Sequence, residues 1–401
     1  MTEPGPAPVS HRRRRLLKWI GIGTAVLLVV VGAGLVADYY YLKGKITTTC
    51  LDTCLPSDQP RPSKAPDALQ AENFVLIGSD TRAGANGNGT GGATIAGARS
   101  DTTIVLHISA HGTATLVSIP RDSYVQIPSC VIGPNGQTSS PQMNKFNVAY
   151  AIGSSQDNRY GPACTVHTIE TLTGLSIDHF AVVDFVGFKH MVDALGGVDM
   201  CVAKPLVDPI VHDASGWHGT NLNLPAGPHV HIDGTQALAL MRARYALDGG
   251  GDLPRIKRQQ QFIAAMVHKA TSGSLLTNPF KLQSFLSAAA SALTTDGFGL
   301  GTMRKFAGAL KDAGAGAVHL LTVPNTLSAP GLPYGDVAWD PVKAPKLWNA
   351  LKHDRPIPGI PRPTPTATPT GSPTATASPS PKPTRSGAIS TISGSHPGCL
   401  S

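Results

Sequence analysis

Arginines concentrate in one segment of this chain, MRARYALDGGGDLPRIKRQQ, around a run of three glycines. In an extended strand Arg242 and Arg244 project to the same side, because side chains alternate with a period of two. On a helix that starts near Arg255, that residue shares one face with Arg258 and Gln259, at spacings i, i+3 and i+4. Guanidinium forks suit phosphate oxygens, so this arrangement favours a pyrophosphate ligand. A solvated face with its own salt bridges is the alternative that these residues leave open.

An aspartate lies in the same segment. The three glycines let the backbone turn back, and Asp252 follows them, three residues before Arg255. At that spacing Asp252 either caps the helix or pairs with an arginine.

Two further aspartates lie at the edges of predicted strands. Asp80 follows the apolar run NFVLIG, and Asp101 opens the β-branched run DTTIVLHIS. Mg²⁺ favours one or two carboxylates together with phosphate oxygens and water, so Asp80 and Asp101 are candidate magnesium ligands. The glycine-rich segment between them is not followed by a helix pattern, which favours a flexible flap over a nucleotide-binding loop.

Three more cations are predicted to lie near the same place. Arg99 precedes Asp101, Arg121 follows a strand that stops at Pro120, and Lys145 lies in NKFNVAY, which has the pattern of a helix start. Together with the arginine-rich segment they indicate an anion-binding site at one edge of a sheet.

Strands alternating with helices predict a layered α/β domain with a mixed sheet. The predicted strands are Asn73–Ile77, Thr102–Ser109, Thr113–Ile119, Phe180–Val183, Val198–Val202 and Val318–Val323. The second and third are separated by Ala-His-Gly, which indicates an antiparallel hairpin. The predicted helices are Cys164–Leu172, Phe185–Leu195, Thr235–Met241, Arg255–Ala270, Phe280–Leu293 and Met303–Ala313. Asp233, with Gln236 three residues on, predicts the N-cap of the third helix.

The N-terminus predicts a membrane anchor. After HRRRRLLK the run from Trp19 to Ala37 carries no charge, and at about 1.5 Å per residue it just crosses a hydrocarbon core of about 30 Å. The arginines place the N-terminus in the cytoplasm and the rest of the chain outside. A cleaved signal peptide is the alternative. The predicted segments are 1–18 cytoplasmic, 19–41 transmembrane, 42–70 linker, 71–354 catalytic domain and 355–401 disordered Pro/Thr/Ser-rich tail.

The charge distribution argues against a nucleic-acid partner. The formal net charge is +8, but 1–18 and 355–401 each contribute +4, so the residues between them are neutral overall. The basic residues are therefore local concentrations, whereas a nucleic-acid-binding domain is basic over a whole face.

All six cysteines follow the predicted anchor, where disulfides persist. Among the pairings that they allow we favour Cys130 with Cys164, which would close a long loop. A disulfide from Cys399 to Cys201 or to another chain is an alternative that would attach the tail. A metal site is the alternative, but Cys50 and Cys54 have no second pair at ligand spacing. The pair His229 and His231 has metal-like alternation without a third ligand, which is more typical of a strand.

The sequence resembles the LytR-CpsA-Psr family of cell-wall glycopolymer ligases. The resemblance rests on ordered motifs: GSDTR, ARSDTT, SIPRDSYVQIP, NKFNVAYAIG, DFVGFKHMVDALGGV and HIDGTQALALMRARYALDGGGDLPRIKRQQQFI. It implies a three-layer α/β/α fold and an envelope-anchored enzyme that transfers a phosphoglycan from a polyprenyl-pyrophosphate lipid to peptidoglycan.

The resemblance also implies roles for individual residues. Asp80 and Asp101 would coordinate Mg²⁺, and Asp252 would be a structural or proton-transfer partner. The implied pyrophosphate clamp consists of Arg99, Arg121, Arg242, Arg244 and Arg255 with Lys145 and Gln259. Met241 stands where the family often has an aromatic residue, and the flap after Asp80 is long.

In phosphoryl transfer the protein mainly positions the reacting groups and stabilises the negative charge of the transition state. No covalent nucleophile on the protein is required. The predicted helices Phe185–Leu195 and Phe280–Leu293 are apolar enough to line a lipid tunnel. A hydrolase of the lipid pyrophosphate and a non-catalytic lipid- or glycan-binding wall protein remain alternatives. Transcriptional attenuation is disfavoured, because the predicted cytosolic segment is too short for a DNA-binding domain.

Overall fold

The computed structural model describes residues 40–79, 99–213, 216–243, 252–271, 278–297 and 315–357, with Ala37, Leu247, Leu275, Thr302, Ile360 and parts of 391–400. Almost all of the predicted anchor, Asp80, the glycine-rich flap, Arg244 and the predicted helix Met303–Ala313 lie outside these residues. Within the described part of the chain, no helix has the length and hydropathy that a membrane span requires.

The chain divides into two units, Met1–Lys45 and Ile46–Ser401. In the first unit, Tyr40–Lys45 is helical. The helices of the second unit are α1 Val148–Gly153, α2 Gly161–Thr173, α3 Phe185–Ala194, α4 Gly234–Arg242, α5 Asp252–Thr271, α6 Pro279–Ala292 and α7 Lys343–Lys352.

The strands of the second unit are mostly short. In chain order they are β1 Thr47–Thr48, β2 Glu72–Ser79, β3 Ser100–Ile108, β4 Ala114–Ile119, β5 Tyr124–Ile127, β6 Gln142–Lys145, β7 His179–Val183, β8 Val198–Val202, β9 Leu206–Asp208, β10 Val211–Asp213, β11 Gly216–His218, β12 Leu222–Leu224, β13 Gly227–Ile232, β14 Leu293–Thr295, β15 Val318–Thr322, β16 Asn325–Thr326, β17 Ala338–Trp339 and β18 Thr391–Ser393.

Eight strands form one mixed sheet in the order β1-β14-β7-β2-β3-β4-β15-β18. The predicted hairpin is confirmed: β3 and β4 are antiparallel, with Val105 opposite Val117. The pairs β2/β7 and β4/β15 are parallel, and their connections contain helices, as parallel connections require. The mixed α/β prediction is therefore confirmed.

Both faces of this sheet are covered by helices. Val75, Val105 and Val117 point to one face, where they belong to the same buried cluster as residues of α2 and α7. Phe74 and Leu106 point to the other face and pack with residues of α5. The alternation along each strand divides the apolar residues between two helical layers. We name these faces the α2/α7 face and the α5 face.

In the part of the chain that the structure describes, five short strand pairs lie outside the central sheet: β5/β6, β8/β13, β9/β12, β10/β11 and β16/β17. The predicted strand Val198–Val202 is confirmed, but it pairs with Gly227–Ile232 and not with the central sheet. His231 on that partner strand makes a 2.9 Å contact through Nδ1 with Asp199 Oδ1. Among the described residues there is no group of three His, Cys, Asp or Glu side chains arranged to hold a metal.

Residues after Ile46 that composition predicts to be a linker pack onto the domain. Leu51 and Cys54 belong to the buried cluster on the α2/α7 face. Arg61 donates through Nη2 and Nε to the carboxylate of Glu170 in α2, at 2.8 and 3.1 Å. The linker prediction is therefore wrong for these residues, because partly buried ion pairs from Arg61 to Glu170 and from Lys64 to Asp178, with a few apolar side chains, attach a polar segment.

The end of the chain also returns to the domain. Thr391–Ser393 pairs antiparallel with β15, Leu400 is fully buried and Cys399 forms a disulfide with Cys201. The prediction of a disordered tail is wrong for this last part, whereas 361–390 lie outside the described residues. The predicted Cys130–Cys164 disulfide is confirmed, and Cys50 pairs with Cys54.

Candidate functional site

A cluster of charged side chains lies at one end of the central sheet, where β3 begins, β4 ends and α5 begins. Pro120 ends β4, because proline cannot donate a ladder hydrogen bond, and Arg121 follows at the sheet edge. Arg121 Nη1 donates to Asp101 Oδ1 at 2.9 Å. Its Nε lies 3.3 Å from Asp252 Oδ1 and 3.4 Å from Asp122 Oδ2. The guanidinium of Arg121 therefore joins the end of β4 to the start of β3 and to the start of α5, two segments that are distant from it in sequence.

The first turn of α5 supplies the second part of the cluster. Asp252 lies in that turn, where the helix dipole favours a negative charge. Arg255 Nη2 lies 2.5 Å from Asp252 Oδ1 and donates to the main-chain carbonyl of Asp101 at 3.2 Å. Arg255 is only 3% exposed, so this pair is buried. The predicted pairing of Asp252 with an arginine is confirmed.

Lys145 forms the third part. It lies at the end of β6, and its Nζ is 2.9 Å from Asp122 Oδ1 and 3.0 Å from Asp336 Oδ1. Burial lowers the pKa of Lys145, but the hydrogen bonds that its ammonium donates to the carboxylates of Asp122 and Asp336 outweigh burial, so the net shift is upward. Lys145 therefore stays protonated at neutral pH, with a side chain that is 41% exposed.

Arg242 lies on the last turn of α4, whose predicted capping box between Asp233 and Gln236 is confirmed. Its guanidinium carbon is 4.9 Å from the ring centre of Phe185 at the start of α3. Arg242 is half-buried, and a cation at this end of a helix is favoured by the helix dipole. Its predicted partner Arg244 lies outside the described residues.

Arg258 and Gln259 are placed differently from the other predicted ligands. Both are buried, and Arg258 Nη2 donates to the carbonyl of Ala243 at 3.0 Å. Gln259 Nε2 donates to the carbonyl of Met241 at 3.1 Å. These bonds attach the end of α4 to α5, so the geometry gives the two side chains a positioning role for Arg242. Arg99, in contrast, is exposed beside the start of β3.

The electrostatics differ from those of a surface network. Burial lowers the pKa of Arg121, but the charges of Asp101, Asp252 and Asp122 outweigh this effect and raise it overall. The side chains of Arg121, Asp122 and Asp252 are 12%, 10% and 6% exposed, so the pairs are shielded from water and salt. The salt-bridge network that the sequence allowed is therefore present, but as a buried network.

Within the cluster, solvent reaches the side chains of Asp101 and Lys145. Arg99, beside the start of β3, and Arg242, at the end of α4, are also accessible. The Asp101 side chain is 31% exposed even though it pairs with Arg121. Ser79 and Ser100 precede Asp80 and Asp101 in sequence, and they are paired in register between β2 and β3. An accessible carboxylate beside protonated cations fits a site for a cation that is shared with phosphate oxygens.

The sequence missed two members of the cluster. Asp122 follows Arg121 directly in SIPRDS, and this proximity to an arginine was a usable signal. Asp336 lies in a Pro/Gly-rich loop, PGLPYGD, that gives no such signal. It reaches the cluster because Val337 N donates to Asp122 O at 2.9 Å and fixes the loop there.

The fold and the cluster define a mixed α/β domain that gathers cations and carboxylates at one end of its central sheet. The chain belongs to the LytR_cpsA_psr family, whose model matches residues 39–346.

Two relatives in sequence support this placement. One is the probable cell wall biosynthesis protein LcpB of Corynebacterium glutamicum, 33% identical over 349 residues that cover 85% of this chain and 74% of that protein. Another is the polyisoprenyl-teichoic acid–peptidoglycan teichoic acid transferase TagU of Oceanobacillus iheyensis. It is 32% identical over 273 residues, which cover 67% of this chain and 74% of that protein.

Solved structures support the fold. The LytR-Csp2A-Psr enzyme from Actinomyces oris has a TM-score of 0.53 at 20% identity, over 77% of this chain and 96% of that chain. TagV of B. subtilis has a TM-score of 0.51 at 23% identity, over 71% of this chain and 98% of that chain.

Proposed function

We propose that this protein transfers a glycopolymer from a polyprenyl-pyrophosphate lipid to peptidoglycan and joins the two through a phosphodiester bond. The observation that supports it most is the cation cluster at the sheet end, within the part of the chain that matches the family. A sugar hydroxyl of the acceptor attacks the phosphorus that carries the glycan. The bond from that phosphorus to the polyprenyl phosphate breaks, and the hydroxyl loses its proton.

In this proposal the charged residues have two roles. Lys145 and Arg242, whose side chains solvent reaches, bind pyrophosphate oxygens, and we propose the same role for Arg99 and Arg244. Behind them, the buried pairs of Arg121 and Arg255 with Asp252 hold the sheet end in one arrangement. Charge fixed before the reaction stabilises a transition state without further reorganisation, which is how a phosphoryl transfer is accelerated.

A magnesium ion belongs to the proposal, with Asp80 and Asp101 as its protein ligands. When bound, it would offset negative charge on the pyrophosphate. Asp101 is suited to this role because its carboxylate is partly accessible and Arg121 fixes its orientation at 2.9 Å.

The lipid would lie between α3 and α6. Phe188 of α3 is 6.0 Å from Phe262 of α5 between ring centres, so α3 packs beside α5. A Cβ on Gly187 would lie 2.4 Å from the Cβ of Ala292, so α3 and α6 approach closely at one end. Half-buried apolar side chains such as Leu282 and Phe285 follow along α6. The run from 19 to 41 would anchor the protein in the cell membrane, with its N-terminus in the cytoplasm and the domain outside.

The test uses the full-length protein in detergent micelles with a synthetic polyprenyl-pyrophosphate disaccharide and peptidoglycan fragments. Mass spectrometry should detect a phosphodiester between the two glycans, and Lys145→Ala should reduce its formation. Release of lipid phosphate at one rate with and without acceptor, and no linked product, would identify a hydrolase. Saturable binding of the lipid without any turnover would identify a binding protein.

A further inference from the structure

A groove opens between α2 and α7 on the α2/α7 face of the sheet. We name it the tryptophan groove; it is lined by Leu172, Thr173, Trp339, Trp348, Asn349 and Lys352 among others. Its volume of about 290 Å³ is at the lower end of the range of small-ligand pockets, about 300–1,000 Å³, so it suits a short portion of a larger ligand.

The groove is continuous with the charged cluster through one segment of chain. Val337 N donates to Asp122 O at 2.9 Å, and Tyr124 N donates to Val337 O at 2.8 Å. Trp339 Nε1 donates to Ser123 Oγ at 3.1 Å. The segment that brings Asp336 to Lys145 therefore also forms the wall of the groove. Trp339 is three residues after Asp336, which corresponds to about 10 Å of extended chain.

The lining combines aromatic faces with polar groups. The rings of Trp339 and Trp348 are 5.7 Å apart between centres, at 37°. Trp348 is 3% exposed, and among the described residues its Nε1 has no hydrogen-bond partner. Asn349 on the rim is exposed, and Lys352 at the end of α7 is partly exposed.

This combination matches a sugar chain better than a lipid. A pyranose ring has an apolar C–H face that packs on an aromatic ring such as the partly exposed Trp339, and hydroxyl edges that bond to amide and ammonium groups. An acyl or prenyl chain would leave the polar rim without partners. The helices proposed to hold the donor lipid are different ones: α3, which packs beside α5 through Phe188 and Phe262, and α6, whereas the groove is lined by residues of α2 and α7.

We propose that the tryptophan groove binds the glycan strand of the peptidoglycan acceptor and leads its hydroxyl to the charged cluster. The proposal rests on the transferase function proposed above, because it names where the second substrate of that reaction binds. Donor lipid and acceptor then bind along different helices and meet at the charged end of the sheet.

The test compares two tryptophan substitutions on α7 in the full-length protein in detergent. Asn349→Trp fills the groove, and Lys346→Trp, three residues away, places the same bulk at an exposed position outside it. In Asn349→Trp we expect the acceptor KM to rise about tenfold or more, with the donor KM and acceptor-free release of lipid phosphate unchanged. Lys346→Trp should match the wild type, and Asn349→Ala should show a smaller effect.

A binding arm without donor separates this proposal from the transferase function. Calorimetric titration with a soluble peptidoglycan glycan fragment should give heat with the wild type and Lys346→Trp, and little with Asn349→Trp. Equal binding by all three proteins would overturn the groove proposal while transfer by the wild type stands. Binding that Asn349→Trp abolishes, with no transfer by the wild type, would support the groove and overturn the transferase function. Preferential binding of a lipid-free donor glycan or a proline-rich peptide would also overturn the assignment.

Discussion

Arg255, in the first turn of α5, donates a hydrogen bond to the main-chain carbonyl of Asp101 at the start of β3, 3.2 Å away. The two residues are 154 positions apart in sequence. The same guanidinium pairs with Asp252, and Arg121 bridges Asp252 to the side chain of Asp101. The four side chains thus form a closed set that fixes the helix start against the strand start.

Removing Arg255 should therefore lower stability as well as activity. Breaking a buried ion pair by deleting one partner costs about 3–5 kcal/mol, because the other charge stays buried. We expect Arg255→Ala to show a loss of this size in urea unfolding. The double variant Arg255→Ala/Asp252→Ala should lose less than the sum of the two single changes. Strict additivity would show that the contact contributes nothing.

Substitutions of Arg242 and Arg258 should have different effects on activity and stability, because we propose that Arg242 binds substrate and that Arg258 positions Arg242. Arg242→Ala should reduce catalytic efficiency about ten- to a hundredfold, because a charge-assisted hydrogen bond contributes about 1.5–3 kcal/mol. Arg242→Lys should restore little, since lysine lacks the planar fork. Thermal melts of both variants should stay near that of the wild type.

Arg258→Ala is the matched comparison, because this arginine is 2% exposed and bonds to the carbonyl of Ala243. We expect it to lower the melting temperature and to reduce activity through the displaced end of α4. Full activity of Arg242→Lys would show that only charge matters at that position.

Local patterns predicted the elements around the site well. The hairpin β3/β4 followed from two β-branched runs around a short turn, and the start of α4 followed from the Asp233–Gln236 capping pair. The buried role of Arg258 could not be predicted, because the helical face that it shares with Arg255 gives no sign of which residue meets a neighbouring helix. The sequence periodicity shows which residues share a helical face, but only the tertiary packing shows which of them a neighbouring helix covers.

Long-range attachments escaped prediction for a related reason. Asp336 joins the cluster through main-chain hydrogen bonds of Val337, and main-chain bonds between distant loops leave no mark on side-chain composition. Leu400 and Thr391–Ser393 are attached by strand pairing and a disulfide, although the Pro/Thr/Ser content around them indicates disorder. Composition is an average over a whole segment, whereas a few contacts at the end of that segment decide whether it packs against the domain.

Magnesium dependence should be sensitive to Asp101. In Asp101→Asn the side chain keeps its size and still accepts from Arg121, but loses the charge that a hard cation requires. We expect wild-type turnover to be lost on chelation and restored by Mg²⁺, and Asp101→Asn to need much higher Mg²⁺ or to stay inactive. The proposed metal role would be contradicted by equal Mg²⁺ titration curves for the two proteins.

The end of the chain should contribute to stability. Ending the protein after Ile360 removes β18, the Cys201–Cys399 disulfide and the buried Leu400. Loss of a native disulfide typically costs about 2–5 kcal/mol, so we expect a clear fall in melting temperature. Cys201→Ser/Cys399→Ser, which keeps the strand, should show a smaller fall. If the truncated protein melts with the wild type, the attachment contributes no stability.

His179 and Asp296 should make stability depend on pH near neutrality. His179 Nδ1 lies 2.9 Å from Asp296 Oδ2, joining the start of β7 to the residue after β14. The hydrogen bond that His179 donates to Asp296 raises the pKa of His179, and burial lowers it. The charges of Asp296, Asp178 and Glu72 raise it further, so the net shift is upward. A raised pKa means that the folded state holds the proton more tightly than the unfolded chain, whose histidine titrates near about 6.5. The contribution of this pair to the free energy of unfolding is therefore complete below about pH 6.5 and is lost as pH rises through the folded-state pKa.

Comparison of urea unfolding at pH 5.5 and pH 8.5 should show Asp296→Asn less stable than the wild type by about 1 kcal/mol at the lower pH, and closer to it at the higher pH. His190→Gln, at an exposed position of α3, is the control for general histidine titration. A difference between wild type and Asp296→Asn that is the same at both pH values would show that the pair does not titrate in this range.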